Sequence, residues 1–512
     1  MGKIVSKDEF KNGIRQKIKE AGKTIALCHG VFDLMHPGHI IHLEQEKKMA
    51  DILAVSVTAA KYVRKGPGRP YFGDEMRIKV LAALECIDYI MLSEGYTADD
   101  IIESVEPDIY VKGAEYAKAE DDITGKIAEE KKLVEKHGGR IAFTSGDVFS
   151  STKLINTAMS GLPEEVRRFM GDFKTRHTME EVRAYAQRAE RLKALVIGDV
   201  IIDKYTYCNV QGIMSKDMGY SARLGYSEEY LGGAVAIARH LASFSKEVTL
   251  MSVIGNEEGI RQKLFEELAD RVQLNLMYSE TFPSIMKHRY LTRNEKREEY
   301  RKIFAINNIP EHMQYEEEVR RGFQEKLEAQ IEDYDVVFLC DFGHGLVDKK
   351  VMDIVQMKAK YLALNCQTNS SNKGLNIITK YNRADVFTLD QQELKLAFPE
   401  HALNEKVGLA KLAEHLKGDG WLTRGSKGAY SVCGKGYEVK ECPAFTLNVK
   451  DTIGAGDSFF AVAGIFAAAG APVEVGTFVG NIGGALGANI VGNKDAVEKV
   501  NVLKFASTLV NV

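Results

Sequence analysis

Buried-strand and amphipathic-helix patterns alternate along the first 157 residues of the chain. Short apolar runs that are typical of buried strands are separated by amphipathic stretches such as residues 74–84. The apolar runs lie at 24–27, 52–57, 89–92, 109–111 and 140–143. This alternation predicts a parallel α/β sheet.

The pattern changes after residue 157 and then resumes. Residues 158–192 are charged and helix-prone without a strand signal, which predicts a helical linker. A second α/β series begins near residue 193 and ends in a Gly/Ala-rich helical region after Asp451. The two series do not repeat one another. We therefore predict an α/β domain at 1–157, a helical linker at 158–192 and a second α/β domain at 193–512.

Composition narrows the class of protein. The length of 512 residues predicts two to four domains. The formal net charge of -4 provides no overall basic field for nucleic acid or an anionic membrane. The seven cysteines are scattered and form no CxxC pair, so we expect no disulfide framework and assign no transition metal. A charged N-terminus without a long apolar stretch predicts a cytoplasmic protein that does not bind membranes.

The first candidate site is the segment LCHGVFDLMHPGH at residues 27–39, which follows a predicted strand and opens a predicted helix. Gly30 and Gly38 permit close approach of the backbone to a phosphate, and a helix N-terminus favours an anion. His36 and His39, separated by Pro-Gly, can donate to phosphate oxygens as negative charge develops there. The segment therefore predicts nucleotide chemistry.

This segment resembles the first motif of the HxGH nucleotidyltransferases, specifically the cytidylyltransferase-like group that makes activated sugars and alcohols. The resemblance covers almost all of residues 24–157. Residues 111–116 resemble a segment of the sugar-specific branch, and residues 150–152 match the late Ser/Thr motif. The resemblance implies catalytic roles for His36, His39, Lys48 and Arg77, nucleotide binding by Gly30, Phe32, Asp33, Ser150, Ser151 and Thr152, and substrate binding by Lys112. The implied reaction is attack of a sugar phosphate on the α-phosphorus of an NTP, with pyrophosphate leaving.

The second candidate site is the segment DTIGAGDS at residues 451–458, which precedes a helix of small residues. Small residues at a helix start expose backbone N–H groups to an anion, and a carboxylate there can take a proton from an attacking hydroxyl. These are the requirements of a kinase that acts on an alcohol.

Residues 194 to about 510 resemble the ribokinase-like carbohydrate kinases, whose signature DTIGAGD matches. The resemblance implies that Asp457 is the catalytic base and that Glu393 contributes to Mg²⁺ binding. It also implies nucleotide binding by Thr423, Gly425, Gly454, Ala455, Gly456 and Asn481, and sugar binding by Asp199, Asp203, Gly232 and Gly233. Residues 204–231 and 284–305 correspond to the lid, a small β structure that often pairs across a homodimer in this family.

Several polar positions depart from the kinase pattern. The changes are Ala236 after the di-glycine, His344 in place of a lysine, Asn365-Cys366-Gln367 in place of an Asp-Pro-Lys-like segment and Asp390 in place of the first Asn of NxxE. These changes suggest either an altered sugar specificity or a domain that binds sugar without phosphorylating it. We favour activity because Asp457 and its anion site are intact.

Together the halves resemble the bifunctional heptose kinase/adenylyltransferases with their order reversed. The resemblance implies a sugar-activating enzyme that uses Mg²⁺ and ATP, with CTP also open for the transferase. Two alternatives remain: a nucleotidyltransferase whose second half binds sugar or oligomerises, and a nucleotide-binding regulator without enzymatic activity.

Overall fold

The computed structural model describes most of the chain. The described residues are 2–63, 70–113, 127–144, 162–216, 218–294, 299–310, 314–368, 372, 374–445, 449, 451, 454–490 and 494–510. They form two compact units, Met1–Met170 with Leu503–Val512 and Gly171–Val502. The division into 1–157, 158–192 and 193–512 stays a prediction.

The first unit contains a parallel six-stranded sheet in the order β1-β4-β3-β2-β5-β6. Its strands are β1 (Lys3–Ile4), β2 (Ile25–Gly30), β3 (Ile52–Thr58), β4 (Tyr89–Ser93), β5 (Ile109–Lys112) and β6 (Arg140–Phe143). Its helices are α1 (Lys7–Glu9), α2 (Arg15–Glu20), α3 (Pro37–Lys47), α4 (Asp74–Ala82), α5 (Asp99–Val105) and α6 (Ile127–Lys136). Five of the six strands were predicted; β1 was not.

Alternation along β2 explains how this sheet is covered. Ala26 and Cys28 pack in one apolar layer with Leu43 of α3, whereas Ile25 and Leu27 pack in the layer on the other face. Successive strand residues point to opposite faces, so an apolar run such as β2 must be buried on both sides. The strand order reverses between β2 and β5, and such a reversal leaves a crevice at the carboxyl ends of the strands.

Two helices, α7 (Glu164–Arg176) and α8 (Met179–Ala189), precede the second α/β series. Thr178 caps α8 in a capping box with Glu181. The second unit then forms a nine-stranded sheet in the order β11-β10-β7-β14-β15-β16-β17-β18-β19, parallel except for the last two pairings. Here the strand order reverses at β7 and β14.

The elements of the second unit are as follows. Its strands are β7 (Lys193–Gly198), β8 (Val200–Ile213), β9 (Tyr220–Gly233), β10 (Glu247–Gly255), β11 (Gln273–Ser279), β12 (Ile285–Asn294), β13 (Glu299–Asn308), β14 (Val336–Asp341), β15 (Leu362–Cys366), β16 (Val386–Asp390), β17 (Asp419–Thr423), β18 (Ala429–Val432) and β19 (Val439–Cys442). Its helices are α9 (Ala234–Leu241), α10 (Glu258–Leu268), α11 (Glu317–Gln330), α12 (Lys349–Lys358), α13 (Gln391–Ala397), α14 (Glu405–Leu416), α15 (Ala455–Ala468) and α16 (Val473–Gly487). The last helix, α17 (Lys499–Val510), begins in the second unit and ends in the residues assigned to the first.

A separate four-stranded sheet has the order β13-β12-β8-β9. It contains both segments that were predicted to form the lid, and we call it the lid sheet. One of its apolar clusters joins Tyr205, Tyr207, Tyr230 and Leu291. The predicted α/β class is confirmed for both units. Among the described residues, no helix combines the length and apolar character that crossing a membrane requires.

Candidate active sites

His36 lies at the N-cap of α3, at the carboxyl end of β2. Its Nδ1 accepts a hydrogen bond from the backbone N–H of Gly38 at 3.1 Å. A neutral imidazole that accepts at Nδ1 carries its proton on Nε2. Burial lowers the pKa of His36, which favours this neutral form. Nε2 is buried and has no hydrogen-bond partner within the described residues, so its N–H is available to a ligand oxygen.

His39 lies one turn further along α3, with its ring centroid 4.0 Å from that of His36. The structure thus brings the two predicted histidines together. Phe32, whose ring centroid lies 5.8 Å from that of His39, adopts a left-handed backbone with φ of 48°. A Cβ at Gly30 would approach the Phe32 ring to 3.1 Å, so Gly30 makes room for this ring. The positive φ of a non-glycine residue marks local strain beside the histidine pair.

Asp33 and Arg77 hold the loop around the site. The Asp33 Oδ1 accepts the backbone N–H groups of Tyr71 at 2.7 Å and Phe72 at 3.0 Å. Arg77 is buried and donates to the carbonyl oxygens of Val31 at 2.6 Å and Thr58 at 2.9 Å. It makes two more hydrogen bonds, to Phe72 O and to Asp74 Oδ1. The structure therefore gives Asp33 and Arg77 positioning contacts.

The other predicted residues of this unit lie elsewhere. Lys48 is exposed and follows the last turn of α3. Twelve residues at 1.5 Å each put it about 18 Å along the helix from His36. Lys112, at the end of β5, pairs with Glu130 at 2.8 Å. Ser150, Ser151 and Thr152 lie outside the described residues, as do residues 114–116 of the predicted sugar segment.

In the second unit, α15 begins with Gly454 in a left-handed conformation, with φ of 81°. Among the described residues, no side chain caps this helix, and the first N–H to bond within it is that of Ser458, which donates to Gly454 O at 2.9 Å. The N–H groups of Ala455, Gly456 and Asp457 precede that bond, so they are the orphan donors of the first turn. The space where a Cβ of Gly456 would lie is open. This helix start fits an anion such as phosphate.

Asp457 lies beside these donors. Its Oδ1 accepts a hydrogen bond from Gln367 Nε2 at 3.1 Å. Burial raises the pKa of Asp457 to about 6, an effect that the charge of Asp203 reinforces and that Gln367 and Lys287 oppose. A carboxylate whose pKa is close to neutral is suited to accept a proton from a hydroxyl.

Asp199 and His344 are buried polar groups with unused hydrogen-bonding capacity. Asp199 follows β7 and His344 follows β14, at the point where the strand order reverses. Oδ1 of Asp199 and both ring nitrogens of His344 have no hydrogen-bond partner within the described residues. Burial, with the charge of Asp341, raises the pKa of Asp199 to about 7, and burial lowers that of His344 to about 3. A neutral imidazole beside a carboxyl group can both donate to and accept from hydroxyls.

Asp341, at the end of β14, anchors the loop that carries His344. It accepts hydrogen bonds from Tyr381 Oη at 2.7 Å and from Gly343 N at 3.0 Å, and it pairs with Lys380 at 2.5 Å. Asp341 is itself buried, so these donors and the cation compensate its lost hydration.

Two cations of β12 accompany Asp203 on the lid sheet. Arg289 pairs with the Asp203 carboxylate, and Lys287 lies opposite Asp203 in the strand register. Burial lowers the pKa of Lys287, while the charges of Asp203, Asp199 and Asp457 oppose that shift. The three carboxylates therefore act on one ammonium group, which the sequence analysis did not identify.

The predicted di-glycine makes room for the two aspartates that were predicted to bind sugar. A Cβ at Gly232 would lie 2.4 Å from Asp203 Oδ2, and one at Gly233 would lie 2.6 Å from the backbone oxygen of Asp199. Gly233 also has a φ of 62°. The steric contacts explain why both positions require glycine.

Glu393 belongs to the capping box of α13. One oxygen accepts the N–H of Asp390 at 2.8 Å and the other accepts that of Thr368 at 3.1 Å. Burial raises the pKa of Glu393 to about 8, and the charges of Asp390 and Asp457 add to this. A cation near these crowded acids would favour their ionised forms.

The predicted nucleotide residues at the end of β17 and on α16 make internal contacts. The Thr423 hydroxyl donates to Leu389 O at 3.3 Å, and Gly425 begins a tight turn with φ of 56°. The Asn481 amide donates to the carbonyl oxygens of Cys442 and Pro443, both at 3.4 Å.

Sequence reasoning also missed a buried relay behind the anion site. Nδ1 of His240 accepts the backbone N–H of Val497 at 3.0 Å, so its Nε2 donates to Ser458 Oγ at 3.0 Å. The Ser458 hydroxyl then donates to Gly454 O at 2.9 Å. Burial lowers the pKa of His240 to about 3, which keeps this tautomer neutral. The relay fixes the turn that starts α15.

Comparison with known proteins identifies two family models in the chain. One, described as cytidylyltransferase-like, matches residues 27–157, and the other, described as the pfkB family carbohydrate kinases, matches residues 191–494. Both families were expected from the sequence motifs, and that expectation is confirmed.

The similar curated proteins include several named "Bifunctional protein HldE". That of Syntrophotalea carbinolica is 36% identical over 125 residues, which is 24% of each chain. That of Desulfatibacillum aliphaticivorans is 36% identical over 163 residues, 31% of this chain and 32% of the relative. The matched part thus spans about a quarter to a third of these relatives' length.

Solved structures similar to this chain include phosphofructokinase-2 from Escherichia coli. It is 14% identical, and the match covers 62% of this chain and 99% of that chain with a TM-score of 0.48. Ribokinase from Thermotoga maritima is 15% identical with the same coverages and a TM-score of 0.47.

Proposed function

Because the chain belongs to the pfkB family of carbohydrate kinases and also carries a cytidylyltransferase-like domain, we propose that it activates a sugar in two steps. The kinase site phosphorylates a sugar hydroxyl with ATP. The transferase site then joins the sugar 1-phosphate to a nucleotidyl group, which yields a nucleotide sugar and pyrophosphate. The observation that carries this proposal is the open, uncapped helix start beside Asp457.

In the kinase step, the sugar hydroxyl oxygen bonds to the γ-phosphorus while the bond from that phosphorus to the β,γ-bridging oxygen breaks. Asp457 receives the hydroxyl proton, as its pKa of about 6 allows. The free N–H groups at the start of α15 hold phosphate oxygens as charge moves onto ADP. Lys287 lies in the field of Asp457 and adds positive charge to the site.

Sugar recognition is assigned to Asp199, Asp203 and His344. The unused hydrogen-bonding capacity of Asp199 and His344 would be met by sugar hydroxyls, which both donate and accept. His344 is neutral at physiological pH because burial lowers its pKa to about 3. A neutral imidazole where relatives carry a lysine favours an uncharged part of the sugar at this position.

In the transferase step, a sugar phosphate oxygen bonds to the α-phosphorus of an NTP and the bond to pyrophosphate breaks. His36 donates its Nε2 proton in a hydrogen bond to a phosphate oxygen, and His39 lies next to it on the same helix. Catalysis here is charge stabilisation and positioning. Lys112 remains a proposed sugar-phosphate contact, which requires that it leave Glu130.

Both steps are proposed to use Mg²⁺, which neutralises the phosphate charge when bound. Asp390 and Glu393 fit such an ion through bound water, because both Glu393 oxygens accept backbone N–H groups and Mg²⁺ retains several of its waters. Their crowded charges, which contribute to the raised pKa of Glu393, support a cation here.

The proposed sugar is a heptose phosphorylated at the anomeric oxygen, destined for surface glycans and made in the cytoplasm. We propose ATP for the transferase because the domain pair resembles the heptose enzymes. Turnover of CTP without ATP would contradict that choice.

A homodimer through the lid sheet is also proposed. Apolar side chains that are more than half exposed recur at alternate positions of β9, and exposed ones also occur in β13. They include Tyr220, Leu224, Tyr226, Phe304 and Ile306. Leu224→Glu should shift the protein from dimer to monomer in light scattering, and a wild-type monomer would contradict the proposal.

The proposal is tested by measuring ADP formation and pyrophosphate release separately with full-length protein. A panel of sugars and sugar phosphates is incubated with each of the four NTPs, and products are identified by mass spectrometry. ADP formation without pyrophosphate release removes the transferase, and the reverse removes the kinase. His36→Asn and Asp457→Asn serve as matched controls, because each disables one site.

A second candidate is a nucleotidyltransferase whose kinase-like half only binds sugar. The hydrogen bond from Gln367 to Asp457 favours it, since one oxygen of the base is occupied before substrate binds. In that case Asp457→Asn leaves every measured activity unchanged. A regulator without catalysis would turn over no substrate in the same panel.

A further inference from the structure

A cluster of three possible metal ligands lies between β2 and α3 of the first unit: Cys28, His42 and Glu46. Cys28 belongs to β2, while His42 and Glu46 lie one turn apart on α3. One ligand atom from each lies within 4.8 Å of the other two. Cys28 and Glu46 are buried, and the three side chains bridge the strand and the helix that carry the HxGH segment.

The distances resemble those around a tetrahedral ion. Cys28 Sγ lies 3.7 Å from His42 Nε2. Zinc bonds of about 2.3 Å to sulfur and about 2.0 Å to nitrogen separate these two atoms by about 3.6 Å in a tetrahedron. His42 Nε2 lies 2.9 Å from Glu46 Oε1, about 0.4 Å short of the tetrahedral spacing, which a small side-chain rotation supplies.

The environment of Glu46 independently indicates a cation-binding site. Its side chain is fully buried, and neither carboxylate oxygen accepts a hydrogen bond within the described residues. The 2.9 Å approach of His42 therefore brings nitrogen and oxygen together without hydrogen-bond geometry. A buried carboxylate in this state is strongly unfavourable unless a positive charge compensates it.

The second ring nitrogen of His42, Nδ1, has a hydrogen-bonding partner of the kind that metal-binding histidines commonly have. His42 Nδ1 lies 2.7 Å from Thr144 Oγ1. A hydrogen bond from Nδ1–H to this hydroxyl leaves Nε2 with its lone pair toward Cys28 and Glu46. Metal-binding histidines commonly have such a partner on the second nitrogen, which fixes the tautomer and the ring orientation.

We propose that Cys28, His42 and Glu46 bind a transition metal ion, for which the sulfur, nitrogen and oxygen donors favour Zn²⁺. Binding releases the thiol proton of Cys28 and forms the metal–sulfur bond, with water as the fourth ligand. The ion clamps α3 to β2 and so positions His36 and His39. This departs from the expectation that the chain holds no transition metal.

Zinc and cobalt binding to full-length protein tests the site. The apoprotein, prepared with a chelator, is titrated with Zn²⁺ against a chromophoric competitor and separately with Co²⁺. Wild type should bind one Zn²⁺ per chain and show thiolate-to-cobalt charge-transfer absorption. Cys28→Ser should lose that absorption, and Cys28→Ser and Glu46→Gln should each weaken zinc binding at least ~100-fold, while Thr144→Val should weaken it ~10-fold.

Cys86→Ser is the matched control, because Cys86 is a partly buried thiol that packs on the same core but lies outside the cluster. It should bind zinc as wild type does. Thermal unfolding of each apoprotein establishes that the variants fold, and Zn²⁺ should raise the Tm of wild type but not of Glu46→Gln. The proposal would be overturned if the wild-type protein bound no zinc, or if the Cys28→Ser and Glu46→Gln variants bound it as tightly as wild type. The cluster would then hold only an ion pair between His42 and Glu46.

Discussion

Replacement of Asp457 by asparagine separates the proposed catalytic role of this side chain from its structural role. Asparagine keeps the shape of the side chain and an oxygen that accepts from Gln367, but it cannot take a proton. Loss of a general base lowers kcat by about 10²–10⁴-fold. We therefore expect ADP formation to fall by this factor, whereas pyrophosphate release from supplied sugar 1-phosphate and NTP stays unchanged.

The same substitution should stabilise the fold. Burial raises the pKa of Asp457 from 3.8 to about 6. A rise of this size corresponds to about 3 kcal/mol against the ionised form. Because the side chain is partly exposed, we expect the free energy of unfolding to increase by about 1–2 kcal/mol at neutral pH. Above pH 3.8 the unfolded chain ionises this acid, whereas the fold keeps it protonated until about pH 6, so the gain should grow between these two values and stay constant above.

Coupled detection of ADP measures the first effect, and urea denaturation at several pH values measures the second. Asp353→Asn is the control, because the Asp353 side chain is half-exposed on α12 and pairs with Lys349 at the surface. It should change neither kinase activity nor stability. If Asp457→Asn retained wild-type kinase activity, Asp457 would not be the base. If it destabilised the fold at neutral pH, the account of its buried charge would be wrong.

Four further substitutions test the remaining parts of the sites. Gly456→Ala should raise helix stability by up to about 1 kcal/mol because its Cβ meets open space, yet raise the KM for ATP by filling the anion site; unchanged ATP kinetics would contradict this. His36→Asn keeps a good N-cap, so transferase kcat should fall about 10²–10³-fold at unchanged stability, and parallel losses would instead indicate a structural role. Lys287→Met should raise the pKa of Asp457 and so move the acid limb of the kinase kcat/KM profile to higher pH. Asp203→Asn should lower that pKa and move the acid limb to lower pH. Shifts of both variants in the same direction would refute the electrostatic assignment.

Much of the sheet architecture could be predicted because the central strands are apolar on both faces. β2 and β3 run through the middle of the first sheet, so their sequences are nearly continuous apolar runs. β1 was missed because Lys3–Ile4 forms only two residues of strand, both exposed, and carries no such pattern. The lid segments were predicted from the family resemblance, but a resemblance of segments does not specify the parallel pairing of β12 with β8.

The sites were less predictable because spacing along a chain does not give distance in the fold. Lys48 follows the histidines closely in sequence, yet α3 carries it to the opposite end of the helix. Lys287 is distant from Asp199 in sequence, yet the charges of the two side chains interact in the fold. His344 is also distant in sequence, yet it follows β14 at the reversal of strand order where Asp199 follows β7. A local motif was sufficient to predict Asp457, because the proposed anion site is built from adjacent residues.

Hydrogen-bond satisfaction distinguishes Arg77 from His36 and His344. Arg77 makes four hydrogen bonds to protein oxygens, and its buried guanidinium thereby holds the loop after β2. His36 Nε2 and the ring nitrogens of His344 have no partner within the described residues, although a buried polar group without one destabilises the fold by about 1–3 kcal/mol. Such a cost is balanced if a ligand completes the bonds. Of the buried groups without a partner in the described part of the chain, His36, Asp199 and His344 follow strands at which the strand order reverses, where open α/β sheets form a crevice that a ligand can enter.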